Sequence, residues 1–192
     1  TVEALRGLET ITFPRIGKLE AFYTDGLRTL LHTVKGVREM WEKTLRYPGH
    51  VEKIKLLKTL GFFDKEPIQI DGTRVSPKDL ATRLFEKNLR MPEIRDLVAI
   101  LIQVSGKVDG QNMKQQYRIL DRYDNKRNVT AMARTTAYTA SVVTQFLAHR
   151  VVEEKGVVPP EKIGTNQKLH IKFINEMGKR GIKVQESSGG ED

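Results

Sequence analysis

The sequence predicts an α+β fold in which a mixed or mostly antiparallel sheet is covered by helices. Three features carry this. Glu9–Phe13 alternates polar and apolar residues and ends at Pro14, and beyond the break at Gly17 Leu19–Tyr23 reads as a second short strand. Leu97–Val104 is the most apolar run of the chain, and Lys107–Gln111 turns it back into Lys114–Tyr123, an antiparallel pair. Thr130–His149 then carries a long helical pattern, small and polar in its first half and apolar in its second, through Val142, Val143, Phe146 and Leu147. The chain of 192 residues is long enough for one domain with a real core, and 39% hydrophobic against 30% charged residues is the balance of a globular protein.

Each element has its local reason. Thr24-Asp25-Gly26 reads as a turn, with Gly26 available for positive φ. Leu27, Leu30, Leu31 and Val34 give a short helical face that ends near Gly36. Val37 to Tyr47 becomes strand-like in its second half. Pro48 suits the first position of the next helix, where its missing N–H costs nothing. Val51, Ile54, Leu56, Leu57 and Leu60 supply that helix with a buried face. Ile68–Ile70 and Arg74–Val75 form a hairpin reversed by Asp71-Gly72-Thr73. Ser76 caps a helix that starts with Pro77 and buries Leu80, Leu84 and Leu89. Leu97–Val104 is expected to be a central strand, buried on both faces in its middle. The small residues after Thr130 let the helix approach another backbone or a cofactor closely, and tight packing on the sheet is the expected reason for them. Val157–Glu161 is a rigid connector, and Asn166 starts a last helix that Gly181 ends. Residues 1–186 are expected to form the domain and residues 187–192 a frayed tail.

The formal charge of +9 is spread along the chain and interleaved with acids, as in Glu52-Lys53-Ile54-Lys55. No basic block, zinc spacing or aromatic RNA-binding signature accompanies it, so a nucleic-acid partner is not expected. The surface suits attraction of small anions instead. No apolar run approaches the roughly 18 residues a membrane span needs. The chain has no cysteine, which excludes disulfides and thiolate chemistry and fits a cytoplasmic protein. His32, His50, His149 and His170 show no metal spacing. There is neither a G-x-G-x-x-G nor a Walker-type loop to cradle a phosphate. The start at Thr1, without Met or signal peptide, reads as an excised piece of a longer protein.

The chemistry gathers at Thr44-Leu45-Arg46-Tyr47-Pro48-Gly49-His50. Arg46 can hold a carboxylate through two parallel hydrogen bonds. His50 falls in the first helical turn, where free N–H groups and the positive dipole end favour a neutral ring or a bound anion. The same residues also describe a plain strand-turn-helix corner with a solvated Arg and a capping His. If the strand ending in Tyr23-Thr24-Asp25 neighbours the one ending in Arg46-Tyr47, both polar clusters share one rim of the sheet.

Leu19–Gly26, then Lys43–His50 with Lys53 behind it, resembles the C-terminal half of the saccharopine dehydrogenase family. Asn128–Thr139, Gly156–Glu161 and Glu176–Ile182 resemble later parts of the same pattern, in the same order. Within the family the likeness is greatest to the lysine 6-dehydrogenase branch. The resemblance implies the substrate-binding and dimerisation domain of an NAD(P)-dependent dehydrogenase, with the Rossmann domain that binds NAD, or NADP, absent from this chain. It implies oxidative deamination of L-lysine at the ε-carbon to 2-aminoadipate 6-semialdehyde, and a homodimer. Saccharopine or another amine is the alternative substrate; a non-catalytic ligand-binding or dimerisation module is the alternative from another class. In this reading Arg46, flanked by Tyr47, takes the α-carboxylate; Tyr23, Thr24 and Asp25 position an amino group; and His50 orients the ligand or relays a proton.

Overall fold

The computed structural model describes residues 2–189. They divide into two compact units, one running to Arg28 and resuming over Val37–Glu93, the other taking Thr29–Gly36 and the described residues from Ile94 on. Every strand pairing is antiparallel, in three separate sheets, which makes the fold α+β. A single sheet is what the sequence suggested; the strands are instead divided among two three-stranded sheets and a two-stranded one, each three-stranded sheet made of a hairpin and one strand from farther along the chain.

In the first unit, β1 (Glu9–Phe13) and β3 (Lys43–Arg46) flank β2 (Gly17–Tyr23). Leu19 and Ala21 are buried on one face of β2 and Phe22 on the other, so the central strand is covered on both sides. Helix α2 (His50–Thr59) follows β3. The hairpin of β4 (Ile68–Ile70) and β5 (Thr73–Val75) turns at Asp71 and Gly72, whose φ of 48° and 82° are those of a type I′ turn. Thr73 belongs to the strand. Ser76 caps α3 (Pro77–Asn88), accepting the Asp79 N–H at 3.3 Å, with Pro77 opening the helix.

Four expectations fail in this unit. Gly49, with φ 84° and ψ 0°, occupies the N-cap of α2, so Pro48 stands before the helix. Pro48 and Gly49 are the central pair of a type II turn closed by the His50 N–H on the Tyr47 carbonyl at 3.3 Å. Leu80, Leu84 and Leu89 are exposed, and Ala81 is the buried residue of α3. Leu56 and Leu60 are likewise exposed, while Val51 is buried. Periodicity gathered these leucines on faces, but a three-stranded sheet of four- to seven-residue strands is too small to seat them all. Finally, Gly26 does not take positive φ; Arg28 does, at 47°.

The second unit begins with the single turn of α1 (Leu30–Thr33), whose Thr33 hydroxyl donates to Glu161 at the start of α5 (Pro160–Gly164). Strand β6 (Leu97–Val108) and β7 (Gln111–Arg122) form a twelve-pair hairpin about Asp109 and Gly110. Their partner is β8 (Gln185–Gly189), which pairs with β7 along residues 114–118. Ser187, Ser188 and Gly189 are therefore strand where a frayed tail was expected; residues 190–192 of that tail lie outside the described residues. Pairing with β8 puts β7 in the centre, and β6, expected to be central and doubly buried, is an edge strand whose second half is exposed.

Helices α4 (Ala131–Ala148) and α6 (Gln167–Lys179) supply the core of this unit, where Val142, Phe146, Val152, Met177 and Ile182 meet Ile119 of β7. The start of α4 is closed twice. Thr130 accepts the Ala133 N–H at 3.1 Å, and the Asp96 carboxylate accepts Ala131 and Met132 at 2.6 and 2.8 Å. Arg134 lies buried under this turn. Its Nε and Nη2 grip Asp121 at 2.8 and 3.3 Å, its Nη1 reaches Asp124 at 3.0 Å, and Nη2 also donates to the Arg180 carbonyl at 3.3 Å. Gly181 (φ 83°) ends α6, and a Cβ there would stand 3.2 Å from the guanidinium. Among the described residues, no helix is long and apolar enough to cross a membrane.

Arg134→Met leaves Asp121 buried without its cation, and the expected cost is about 3 kcal/mol or more. Urea denaturation measures it; a loss below about 1 kcal/mol would mean that Asp121 finds water instead.

Candidate functional site

The corner between β3 and α2 is built by a residue of the neighbouring strand. Glu20 pairs with Arg46 in the β2–β3 register and reaches the first turn of α2. Its Oε1 accepts the Gly49 N–H at 2.7 Å and its Oε2 the Val51 N–H at 3.0 Å. The helix start expected to invite an anion thus already holds one, supplied by the chain. Donation from Val51 and Gly49, aided by the His50 imidazole, keeps the Glu20 carboxyl below its ordinary range. The His50 ring stacks on the buried Phe22, with centroids 6.1 Å apart and planes 8° apart.

Arg46 ends β3 with an exposed side chain. Its Nη1 donates to the Leu45 carbonyl at 2.8 Å, and among the described residues no carboxylate pairs with its guanidinium. Tyr47 beside it is 62% exposed. This end of the ladder therefore offers a free guanidinium, an accessible phenol and a ring held flat against a buried phenylalanine. Such a set can receive a small carboxylate and place a proton-carrying nitrogen near it.

Tyr23, Thr24 and Asp25 are not there. Because β2 and β3 are antiparallel, Tyr23 pairs with Lys43 and Glu20 with Arg46, so the two polar clusters lie at opposite ends of the ladder. Three residue steps separate them, about 10 Å. The shared rim required the strands to be parallel, and a short polar ending cannot reveal strand direction.

The Tyr23 end has its own organisation. The Lys43 ammonium, its side chain 9% exposed, donates to the Gly7 carbonyl at 2.8 Å and pairs with Glu9 at 2.9 Å. It also sits 4.6 Å from the centre of the Tyr23 ring and 5.4 Å from that of Trp41. Thr24 donates its hydroxyl to Glu42 and meets the Thr44 hydroxyl at 2.8 Å, while the Gly26 N–H reaches Glu42 at 3.2 Å. A Cβ at Gly26 would lie 2.7 Å from the Glu42 carboxyl carbon, so a side chain there would push Glu42 away from its bonds to Thr24 and the Gly26 N–H. Asp25 faces solvent, 3.3 Å from Arg28. Thr24, Glu42, Thr44 and Lys43 thus tie this end of the ladder together, while Asp25 stands at its surface. Sequence reading missed Glu20, Glu42 and Lys43. The available signal for Glu20 was its place two residues from Phe22, on the face opposite Leu19 and Ala21.

The family model of the saccharopine dehydrogenase C-terminal domain matches residues 2–182. The chain belongs to this family. Membership gives the saccharopine dehydrogenase C-terminal domain described here an oxidoreductase context in amino-acid metabolism. Of the resembling stretches, Asn128–Thr139 contains the buried Arg134 and its ion pairs. Lys43–His50 contains the open guanidinium and the stacked imidazole. Among the described residues no group of three or more His, Asp or Glu is placed to hold a metal ion.

Glu20→Gln should loosen the start of α2 at neutral pH. The folded Glu20 carboxyl titrates below its unfolded value, so its contribution is present above the unfolded value and is lost as pH falls through the folded one. Urea midpoints of wild type and variant are expected to differ at neutral pH and to converge in acid. A gap that persists in acid would assign the loss to packing instead of charge.

Proposed function

We propose that this domain is the substrate-binding part of an NAD(P)-dependent amino-acid dehydrogenase acting on L-lysine. The reaction is oxidative deamination of the ε-amino group to 2-aminoadipate 6-semialdehyde, with the nicotinamide as hydride acceptor. The observation that carries the assignment is the Arg46 guanidinium, exposed and without a carboxylate partner among the described residues, beside a helix start already filled by Glu20. An incoming α-carboxylate meets Arg46 instead of the helix dipole, and two parallel hydrogen bonds fix its direction. Tyr47 flanks it. His50, held against Phe22, orients the bound ligand or carries a proton at an imidazole nitrogen. Tyr23, Thr24 and Asp25 drop out of this assignment because the antiparallel register carries them to the other end of the ladder.

NAD, or NADP, is proposed to rest on a separate Rossmann domain. What supports this reading is that the starts of α2 and α4, where a pyrophosphate would seek N–H donors, are closed by Glu20 and Asp96. A cytoplasmic location and a homodimer complete the proposal.

In the enzyme in which this domain is joined to its nucleotide-binding domain, Arg46→Ala is expected to raise KM for lysine about tenfold or more, as loss of about 1.5–3 kcal/mol from a charged hydrogen bond requires. Nicotinamide absorbance follows the rate with lysine and with saccharopine in separate assays. Unchanged lysine kinetics would remove Arg46 from the site, and turnover of saccharopine alone would keep the family and change the substrate.

A further inference from the structure

We propose that the free edge of β6 pairs with β6 of a second copy of this chain about a two-fold axis, making one sheet continuous across the dimer. The surface is read from the geometry of β6 and deepens the homodimer proposed above, on which it rests; it is independent of the substrate.

Among the described residues, β6 is hydrogen-bonded to β7 alone, while β8 occupies the opposite side of β7. The sheet can therefore grow past β6 along a strand of twelve residues, about 40 Å. Such an edge presents a row of unpaired N–H and C=O groups, and proteins protect exposed edges with prolines, bulges, charges or short strands. Strand β6 uses little of this. It contains no proline, its register with β7 runs one to one without a bulge, and Lys107 is its one charged residue. In a chain with 30% charged residues and a net charge of +9, an edge with one lysine in twelve residues lets two copies approach with little repulsion.

The side chains lead to the same surface. Val98, Ile100, Ile102, Val104 and Val108 alternate onto one face of β6, and the register adds Ile119 and Met113 of β7. The end near Ile119 is packed into the core of the unit. Beyond it the face is uncovered: Ile102, Val104, Val108 and Met113 are each 43–57% exposed. A two-fold axis perpendicular to the sheet makes the two β6 strands antiparallel, so their donors and acceptors match without any further element. When residues of like parity oppose each other, the apolar faces of both copies lie on the same side and form one surface. With the axis at Gln103, Ile102 opposes Val104 of the second copy and Lys107 opposes Ala99. The same holds with the axis at Ile102 or Val104, where Lys107 opposes Leu97 or Leu101. In none of the three do the two lysines face each other.

The absence of native cysteine allows a direct test. Single cysteines at Leu101, Ile102, Gln103, Val104 and Ser105 are exposed to a mild oxidant, with Thr136→Cys on the solvent side of α4 as control. Light scattering is expected to find a dimer. Disulfide-linked dimer is expected to peak at one of the five positions, fall off on either side, and exceed the control severalfold. Ile102→Lys with Val104→Lys, both at exposed sites, is expected to give a monomer with unchanged helical circular dichroism; if that variant fails to fold, the cysteine series decides alone. A monomeric wild type, or a dimer whose cross-linking shows no maximum within β6, overturns the proposal. Neither result touches Arg46, whose role is read from KM for lysine.

Discussion

The Glu20 carboxylate fixes the geometry on which the rest of the candidate site depends. Two backbone N–H groups at the start of α2 have no intrahelical partner, and both are satisfied by one side chain from β2. This sets where the helix begins relative to the sheet. His50 is thereby brought over Phe22, and Arg46, opposite Glu20 in the ladder, is left facing outward. The second unit uses the same device. Asp96, just ahead of β6, closes the start of α4, and one turn further on Arg134 is held by Asp121 and Asp124. In both units a carboxylate at or beside a strand positions a helix through its free N–H groups. This is more directional than apolar packing alone.

This economy separates the two arginines that stand out. Arg134 is enclosed by two carboxylates and a backbone carbonyl, and its four hydrogen bonds to them are spent inside the fold. Arg46 has a single backbone contact and keeps its fork for an external acceptor. The distinction is physical: a guanidinium with every donor satisfied cannot select a ligand, and an exposed one gains most from a planar carboxylate. The same reasoning separates Lys43, tied to Glu9, Gly7 and two aromatic rings, from the solvated lysines around it.

Exposed apolar surface is the other theme. The leucines along and just after α3, Leu56 and Leu60 toward the end of α2, and the outer half of β6 are uncovered, although each belongs to a regular apolar pattern. Short strands and small sheets offer little area, so the domain cannot bury everything its sequence sorts onto faces. Along β6 this coincides with an open backbone edge, and there polar and apolar requirements can be met together by one partner strand.

Local chemistry was legible in the sequence. Alternation marked β1, the break at Pro14 and Gly17 marked β2, and a long apolar run followed by a turn marked the β6–β7 hairpin. Ser76-Pro77 and Asn166 marked helix starts, Asp71-Gly72 and Asp109-Gly110 marked tight turns, and the family pattern marked the corner at Arg46. These are short-range effects, set by φ preferences and side-chain bonds a few residues long. Strand direction, the central place of β7, the pairing of residues 187–189 and the reach of Glu20 to α2 depend on contacts between distant residues. The expected rim failed for this reason: the polar ends of β2 and β3 look alike as sequence, and the antiparallel register sends them apart. The sequence thus determined which groups were available, and tertiary pairing decided which of them meet.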